Sequence, residues 1–180
     1  LLSVWRDPLA RWQVCGTCRQ NAAFSLEAIM YTYKAQISRI IDGDSVVCDI
    51  DCGFDIALNN QNVRLYAIDT AETRGGTIET KALGNLAKDY LKNELPEGCT
   101  VMLRTYIDKR GKFGRVLASI YKQEGDGFQT RSLNTALLDM RLAVEYHGQS
   151  KAEVMAQHLE NVKYHQELGN ILRQDVQRDS

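Results

Sequence analysis

The sequence predicts an α+β domain with a mainly β core, in which a five-stranded OB-fold barrel carries about three packed helices. Three observations predict this fold. Five short apolar runs of strand character are separated by turn-forming residues. One helical pattern lies between the third and fourth runs, and two more follow the fifth.

The first two strands are predicted at Lys34–Ile41 and Ser45–Ile50. Asp42-Gly43-Asp44 joins them, and Asp-Gly between apolar runs is a strong hairpin signal. Residues 51–61 are rich in turn formers, so they predict a connection without a strand. The third strand is predicted at Val63–Ile68.

A helix is predicted at Lys81–Leu91, because its apolar residues recur at helical steps, and Pro96-Glu97-Gly98 ends it. The fourth and fifth strands are predicted at Val101–Ile107 and Arg115–Tyr121, joined by a basic, glycine-containing turn at 109–114.

Two more helices are predicted from apolar residues at helical spacing. The second helix is marked by Leu133, Ala136, Leu137 and Met140. The third is marked by Ala152, Met155, Leu159 and Val162. We therefore predict a leader of unknown role at 1–30, the barrel domain at 31–168 and a polar tail at 169–180.

The 180 residues carry a net charge of −1, with 22 basic and 23 acidic side chains. This balance argues against a protein that holds nucleic acid by bulk electrostatics, so phosphate contact requires local placement of basic groups. Five basic side chains crowd one short stretch: Arg104, Lys109, Arg110, Lys112 and Arg115. The five cysteines predict free thiols, and the Cys15–Cys18 pair lacks the further ligands that a zinc site needs.

Three segments hold most of the groups capable of chemistry, and each has a simpler explanation. Asp42-Gly43 alone is explained by a hairpin turn in which glycine adopts positive φ. The spacing from Asp69 to Glu72 is equally consistent with a helix capping box. The segment Lys112 to Arg115 is consistent with a solvated hairpin tip.

Taken together, the charged groups of these segments predict phosphoryl-transfer chemistry. Asp44 and Asp69 supply the carboxylate oxygens that hard divalent cations prefer. Arg64 and Arg115 can donate paired hydrogen bonds to phosphate oxygens. Glu72 can accept a proton from the attacking water or orient it, and the sequence does not decide between these roles.

These segments resemble the staphylococcal nuclease (thermonuclease) family. The family pattern has Asp-Gly-Asp-Thr, then Arg-strand-Asp-Thr-Pro-Glu, then Lys-Tyr-Gly-Arg. Here the segments read Asp42-Gly43-Asp44-Ser45, Arg64 to Asp69-Thr70-Ala71-Glu72, and Lys112-Phe113-Gly114-Arg115. The resemblance covers roughly Lys34 to Tyr146 and implies an OB-fold barrel.

The resemblance implies a Ca²⁺-dependent nuclease that hydrolyses DNA and RNA and leaves 3′-phosphate ends. It implies that Asp44, Asp69 and the Thr70 carbonyl bind calcium, while Arg64, Arg115 and Glu72 are catalytic. Lys112, Phe113 and Tyr146 are candidate substrate-binding residues. Ala71 replaces the family's proline, so we expect a less rigid loop, and Phe113 replaces a tyrosine, so we expect the contact of its hydroxyl with a terminal phosphate to be lost. Because the chain lacks the strong basic excess of the best-known family member, we also expect weaker, more salt-sensitive substrate binding.

The alternative is a catalytically weak or inactive nucleic-acid-binding module of the same family, which would typically lack these carboxylates or arginines. We expect DNA and RNA as substrates, no membrane association, no obligate protein partner and a monomer. The ends show no secretory signal pattern, and the short segment after Glu72 resembles bacterial and phage forms. We therefore expect a cytoplasmic or phage-encoded protein.

Overall fold

A closed five-stranded barrel forms the centre of the protein, with three helices around it, as the sequence predicts. The structure is a computed structural model that describes residues 31–106 and 115–171. In chain order the elements are β1 (Tyr31–Asp42), β2 (Ser45–Asp51), β3 (Ala57–Leu65), β4 (Ile68–Thr70), α1 (Ile78–Glu94), β5 (Thr100–Tyr106), β6 (Val116–Glu124), β7 (Gly127–Phe128), α2 (Leu133–Asp139), β8 (Ala143–Glu145) and α3 (Lys151–Glu167).

The barrel strands follow the order β3-β2-β1-β5-β6, and a parallel pairing of β3 with β6 closes the sheet on itself. Along β1, side chains alternate between the interior and solvent: Ala35 and Ile37 are buried, whereas Lys34 and Gln36 are exposed. This alternation places apolar residues of all five strands in one core. Ile171, which follows α3, also packs in this core.

The connection predicted at residues 51–61 is wrong in its second half, because β3 already begins at Ala57. The residues Ala57–Asn60 are exposed, so they give no apolar alternation that could signal a strand. Ala57 and Leu58 pair instead with β2, opposite Asp51 and Ile50, and the Asn60 amide donates to the Asp49 side chain at 2.6 Å.

The third predicted strand is divided, because the chain turns at Tyr66-Ala67 before β4 begins. Ala67 has a φ of 61°, a left-handed conformation that non-glycine residues adopt uncommonly. Two backbone hydrogen bonds hold this turn: Tyr66 donates to the Ala118 carbonyl, and Tyr146 donates to the Ala67 carbonyl. The turn directs β4 away from the barrel to pair with β8, a strand that the sequence did not predict.

The helix α1 begins at Ile78 with Thr77 as its N-cap, whose side chain accepts a hydrogen bond from the Thr80 amide. The capping-box reading of Asp69 and Glu72 is therefore wrong, since Asp69 lies within β4. This outcome frees both carboxylates from a helix-capping role.

The buried face of α3 differs from the apolar face that the sequence predicted. Met155 and Leu159 are 45% and 39% exposed, although the pattern predicted that they face the core. The buried face carries Val162, as predicted, together with Val154, His158, Asn161 and His165. Each of the three polar residues on this face has a hydrogen-bond partner outside α3. His158 contacts Asp69, Asn161 donates to the Ala143 carbonyl, and His165 contacts the Met140 carbonyl.

The thiols of Cys48, Cys52 and Cys99 are free, as predicted for cysteines without a disulfide framework. Cys15 and Cys18, the leader at 1–30, the basic turn at 109–114 and residues 172–180 lie outside the described residues. In the ranges that the structure covers, no helix has the length and apolar character needed to cross a membrane.

Candidate active site

The site forms where the β1–β2 turn, the end of β3 and the strand β4 meet. Antiparallel pairing of β2 with β3 places Ser45 opposite Arg64, so Arg64 lies beside the Asp44 that precedes Ser45. The Leu65 amide donates to the Asp44 carbonyl at 2.8 Å and holds the two segments together. The turn after β3 then brings Asp69 of β4 back toward the same point.

Arg64 forms ion pairs with both aspartates that were predicted to bind a metal ion. Its Nη2 atom lies 2.9 Å from Asp44 Oδ2 and 2.6 Å from Asp69 Oδ1. All three side chains retain limited exposure, at 21% for Arg64, 8% for Asp44 and 26% for Asp69. Arg64 lies between the buried residues Val63 and Leu65, where a charge needs a partner, and it has two.

The two carboxylates have different electrostatic surroundings. Burial raises the pKa of Asp44 above its ordinary value, although the charge of Arg64 and a 2.7 Å hydrogen bond from Ser45 Oγ oppose this effect. Burial also raises the pKa of Asp69, but the hydrogen bond from His158 and the charge of Arg64 outweigh it. The net result is a pKa of Asp69 below its ordinary value. Asp69 is thus the more strongly stabilised anion.

Gly43 is required by packing rather than by backbone conformation. Its φ is not among the positive values of the described glycines, so the turn explanation based on positive φ is wrong. A Cβ atom at Gly43 would lie 2.7 Å from the Ala87 Cβ of α1 and 3.0 Å from Thr70 Oγ1. The missing side chain lets α1 and β4 approach the hairpin that carries Asp44.

A second close contact positions the segment that carries Glu72. Gly84 of α1 packs against the backbone of Ala71, and a Cβ at this position would lie 2.3 Å from the Ala71 carbonyl oxygen. Ala71 is buried, whereas Glu72 is exposed on the wall of the cleft. Packing of α1 therefore restrains the backbone that leads to Glu72, and the lower rigidity expected of this loop stays a prediction.

Replacement of Gly84 by alanine (G84A) is expected to destabilise the fold. Alanine favours the helix by about 1 kcal/mol, but overpacking against backbone costs about 1–3 kcal/mol. Because the clash is with a carbonyl oxygen rather than a flexible side chain, we expect a net loss, measured by urea unfolding. Asn85 is exposed on the same helix, so N85A is the matched control and should not lower stability. A G84A variant as stable as N85A would contradict this packing.

Two cavities of about 440 and 360 Å³ meet at the site. Both are lined by Arg64, Asp69, Thr70, Ala71, Glu72 and Arg115. Asp44 lines the smaller cavity and Tyr146 the larger one. The structure therefore brings together the residues predicted to be catalytic or metal-binding and places Tyr146, a predicted substrate-binding residue, beside them. Lys112 and Phe113 lie outside the described residues.

The donor atoms at the site suit a hard cation. Asp44 and Asp69 contact the same guanidinium nitrogen, so their carboxylates lie near one another, as two ligands of one ion must. Oxygen donors of this kind favour Ca²⁺ or Mg²⁺ over softer ions. Nowhere in residues 31–106 and 115–171 do three His, Cys, Asp or Glu side chains form a metal-binding cluster. A cation held by the two aspartates would thus require additional oxygen ligands.

His158 is a site residue that the sequence interpretation missed. It lies on α3, lines the larger cavity and places Nε2 3.2 Å from Asp69 Oδ2. Its side chain is only 4% exposed. The apolar stripe assigned to α3 excluded position 158, so no local signal marked this histidine as part of the site.

Known proteins share sequence similarity with part of this chain. A family model described as staphylococcal nuclease homologue matches residues 62–169. A thermonuclease from Staphylococcus hyicus is 31% identical over 90 residues, which cover 50% of this chain and 48% of that protein. A thermonuclease from Staphylococcus intermedius is 29% identical over 85 residues, covering 47% and 46%.

The chain spans about half the length of these curated relatives. The family model covers more than half of the chain and includes Arg64, Asp69, Glu72 and Arg115. The chain therefore belongs to the family of staphylococcal nuclease homologues.

Proposed function

We propose that this protein is a Ca²⁺-dependent nuclease that hydrolyses phosphodiester bonds of DNA and RNA and leaves 3′-phosphate ends. One observation supports the proposal most strongly: Arg64 contacts both Asp44 and Asp69 in a cleft that Glu72 and Arg115 also line. The thermonuclease relatives support the same reaction class.

The cation would be held by the carboxylates of Asp44 and Asp69 and by the backbone carbonyl of Thr70. All three donors are oxygen atoms, which is the ligand type that Ca²⁺ prefers. When bound, the ion offsets phosphate charge and polarises the phosphorus centre. The donor set that the chain provides fits this role.

The two arginines would bind the phosphate of the scissile bond. Arg64 contacts both aspartates through Nη2, and a guanidinium has five N–H donors in total. Arg64 can therefore remain paired with the aspartates and still donate to a phosphate oxygen. Arg115 lines both cavities and would donate from the adjacent strand end. Such hydrogen bonds strengthen as negative charge builds up at phosphorus, which lowers the barrier.

Glu72 would act on the attacking water. Its carboxylate lines both cavities and is exposed, so water reaches it directly. It either accepts the proton from water or orients the water for attack. Tyr146, which is 39% exposed in the larger cavity, would contact the nucleotide together with Lys112 and Phe113.

The presence of three carboxylates in the cleft, at Asp44, Asp69 and Glu72, also favours an enzyme over a simple binding module. Asp44, Asp69 and Glu72 would repel phosphate unless a cation offset their charge, whereas a module that only binds nucleic acid gains nothing from them. We further propose that the protein acts as a monomer without an obligate partner, and we retain the predicted cytoplasmic or phage-encoded location.

The function is tested by incubating the purified protein with single-stranded DNA and RNA of matched sequence at increasing Ca²⁺ concentrations. We expect both substrates to be degraded, a chelator to stop the reaction, and mass spectrometry to show 3′-phosphate ends. The D69N variant should be inactive, while D89N, which changes an exposed aspartate of α1, should behave as wild type. Absence of degradation with Ca²⁺, Mg²⁺ and Mn²⁺ would favour the binding module.

A further inference from the structure

Two histidines are buried on the inner face of α3, and they have different surroundings. His165 is 4% exposed and its Nε2 contacts the carbonyl oxygens of Met140 and Arg141 at 3.1 and 3.3 Å. Its Nδ1 lies 3.1 Å from the Asn170 side-chain amide. Both ring nitrogens are therefore satisfied by groups that belong to the fold, as expected for a histidine that stabilises structure.

His158, two helical turns earlier, is satisfied at one nitrogen only. Its Nε2 lies 3.2 Å from Asp69 Oδ2. Its Nδ1 is buried and has no hydrogen-bond partner among the described residues. A buried, unpaired polar atom costs about 1–3 kcal/mol. The site thus holds a side chain that an apolar residue of similar size could replace without this cost.

His158 and Arg64 contact the two different oxygen atoms of the Asp69 carboxylate. Oδ1 accepts a hydrogen bond from Arg64 at 2.6 Å, while Oδ2 faces His158. The two restraints come from different elements, β3 and α3. Each carboxylate oxygen has two lone pairs, so an oxygen that accepts one hydrogen bond can still bind a cation. The carboxylate is held in one orientation before any ligand arrives.

We propose that His158 is a positioning residue that orients the Asp69 carboxylate for cation binding. Because partners of metal-binding carboxylates fix ligand geometry, their removal lowers metal affinity or activity by roughly 10–100-fold. The inference rests on the proposed function of the same cleft. In this role His158 does not contact substrate. The helix α3 then supports the metal site without supplying a metal ligand.

The test measures the Ca²⁺ dissociation constant of the full chain by isothermal titration calorimetry, without substrate. We expect H158L to weaken Ca²⁺ binding by roughly 10-fold or more and to melt within a few degrees of wild type. The second result follows because leucine removes the unpaired nitrogen, and because water can reach the partly exposed Asp69. H165L is the matched control: it should lower the melting temperature but leave the dissociation constant unchanged.

Two amide variants keep the test decisive if H158L does not fold. Glutamine can present an N–H group at nearly the same distance as Nε2, whereas asparagine is one methylene shorter. We expect H158Q to bind Ca²⁺ nearly as tightly as wild type and H158N to bind it as weakly as H158L. Wild-type affinity in H158L, or equal affinity in H158Q and H158N, would overturn the positioning role alone. If the wild-type protein shows no heat of Ca²⁺ binding, both the proposed calcium site and the positioning role of His158 would be overturned.

Discussion

Replacement of Arg64 by methionine (R64M) is expected to lower turnover by roughly 10²-fold or more, because a transition-state hydrogen-bond donor is lost. The same change should destabilise the fold, since it removes the guanidinium that pairs with both Asp44 and Asp69 and leaves the two carboxylates close together. We expect a loss of about 3 kcal/mol, the lower end of the range for breaking a buried ion pair, because each side chain is partly exposed.

The calcium affinity of R64M, unlike its turnover and stability, should not fall. Removal of Arg64 eliminates a positive charge beside both carboxylates, so R64M should bind Ca²⁺ at least as tightly as wild type. Ca²⁺ should therefore raise the melting temperature of R64M by at least as much as that of wild type. Thermal unfolding with and without Ca²⁺, together with single-turnover kinetics, measures both effects. R39M, which changes an exposed arginine of β1, is the control. Retained turnover in R64M would refute the assigned role.

Replacement of Glu72 by glutamine (E72Q) is expected to lower turnover by roughly 10²-fold or more, the usual contribution of a positioned proton acceptor. Glutamine keeps the size of the side chain but accepts a proton far less readily. Because Glu72 is exposed and lies in a segment fixed by the backbone packing of Ala71 on Gly84, the variant should fold normally. The Ca²⁺ dissociation constant should also remain unchanged, since Asp44 and Asp69 are intact.

The matched control for E72Q is E97Q, which changes an exposed glutamate in the turn after α1. E97Q should retain full turnover and stability. If E72Q were as active as E97Q, the proton acceptor or water-orienting group would have to be another residue. If E72Q instead unfolded at lower temperature than E97Q, Glu72 would have a structural role that its exposure does not suggest.

Much of the barrel could be predicted because its strands obey local rules. The β1–β2 hairpin carries apolar alternation and an Asp-Gly turn, and both signals act over a few residues. The start of β3 escaped prediction because the residues from Ala57 to Asn60 are exposed, and because Ala57 and Leu58 are held by pairing with β2. Pairing of this kind depends on the partner strand and leaves no mark in side-chain pattern.

The turn at Ala67 could not be predicted for a related reason. Positive φ normally signals glycine or asparagine, but here tertiary hydrogen bonds from Tyr66 and Tyr146 stabilise an alanine in that conformation. This turn shapes the candidate site because it moves Asp69 out of the barrel wall and toward Arg64. A continuous strand to Ile68, as the sequence predicted, would leave Asp69 in a different direction.

The charged residues of the candidate site could be predicted from the sequence, but the residues that pack against them and hold them in place could not. Asp44, Arg64, Asp69 and Glu72 stand at strand ends and turns, where their charge marks them. Gly43 and Gly84 were not identified as close contacts, because their role depends on the approach of another element. His158 was hidden by an apolar pattern displaced along α3, although it contacts Asp69. The supporting residues become visible only when distant elements pack together.

The central claim is that Asp44 and Asp69 share one divalent cation within reach of the phosphate that Arg64 and Arg115 bind. The most direct measurement is a crystal structure of E72Q with Ca²⁺ and a short single-stranded oligonucleotide. We predict one Ca²⁺ with oxygens of both aspartates at about 2.3–2.6 Å, and one phosphate that accepts hydrogen bonds from both arginines. A Ca²⁺ ion bound elsewhere, or a phosphate that contacts neither arginine, would contradict the account.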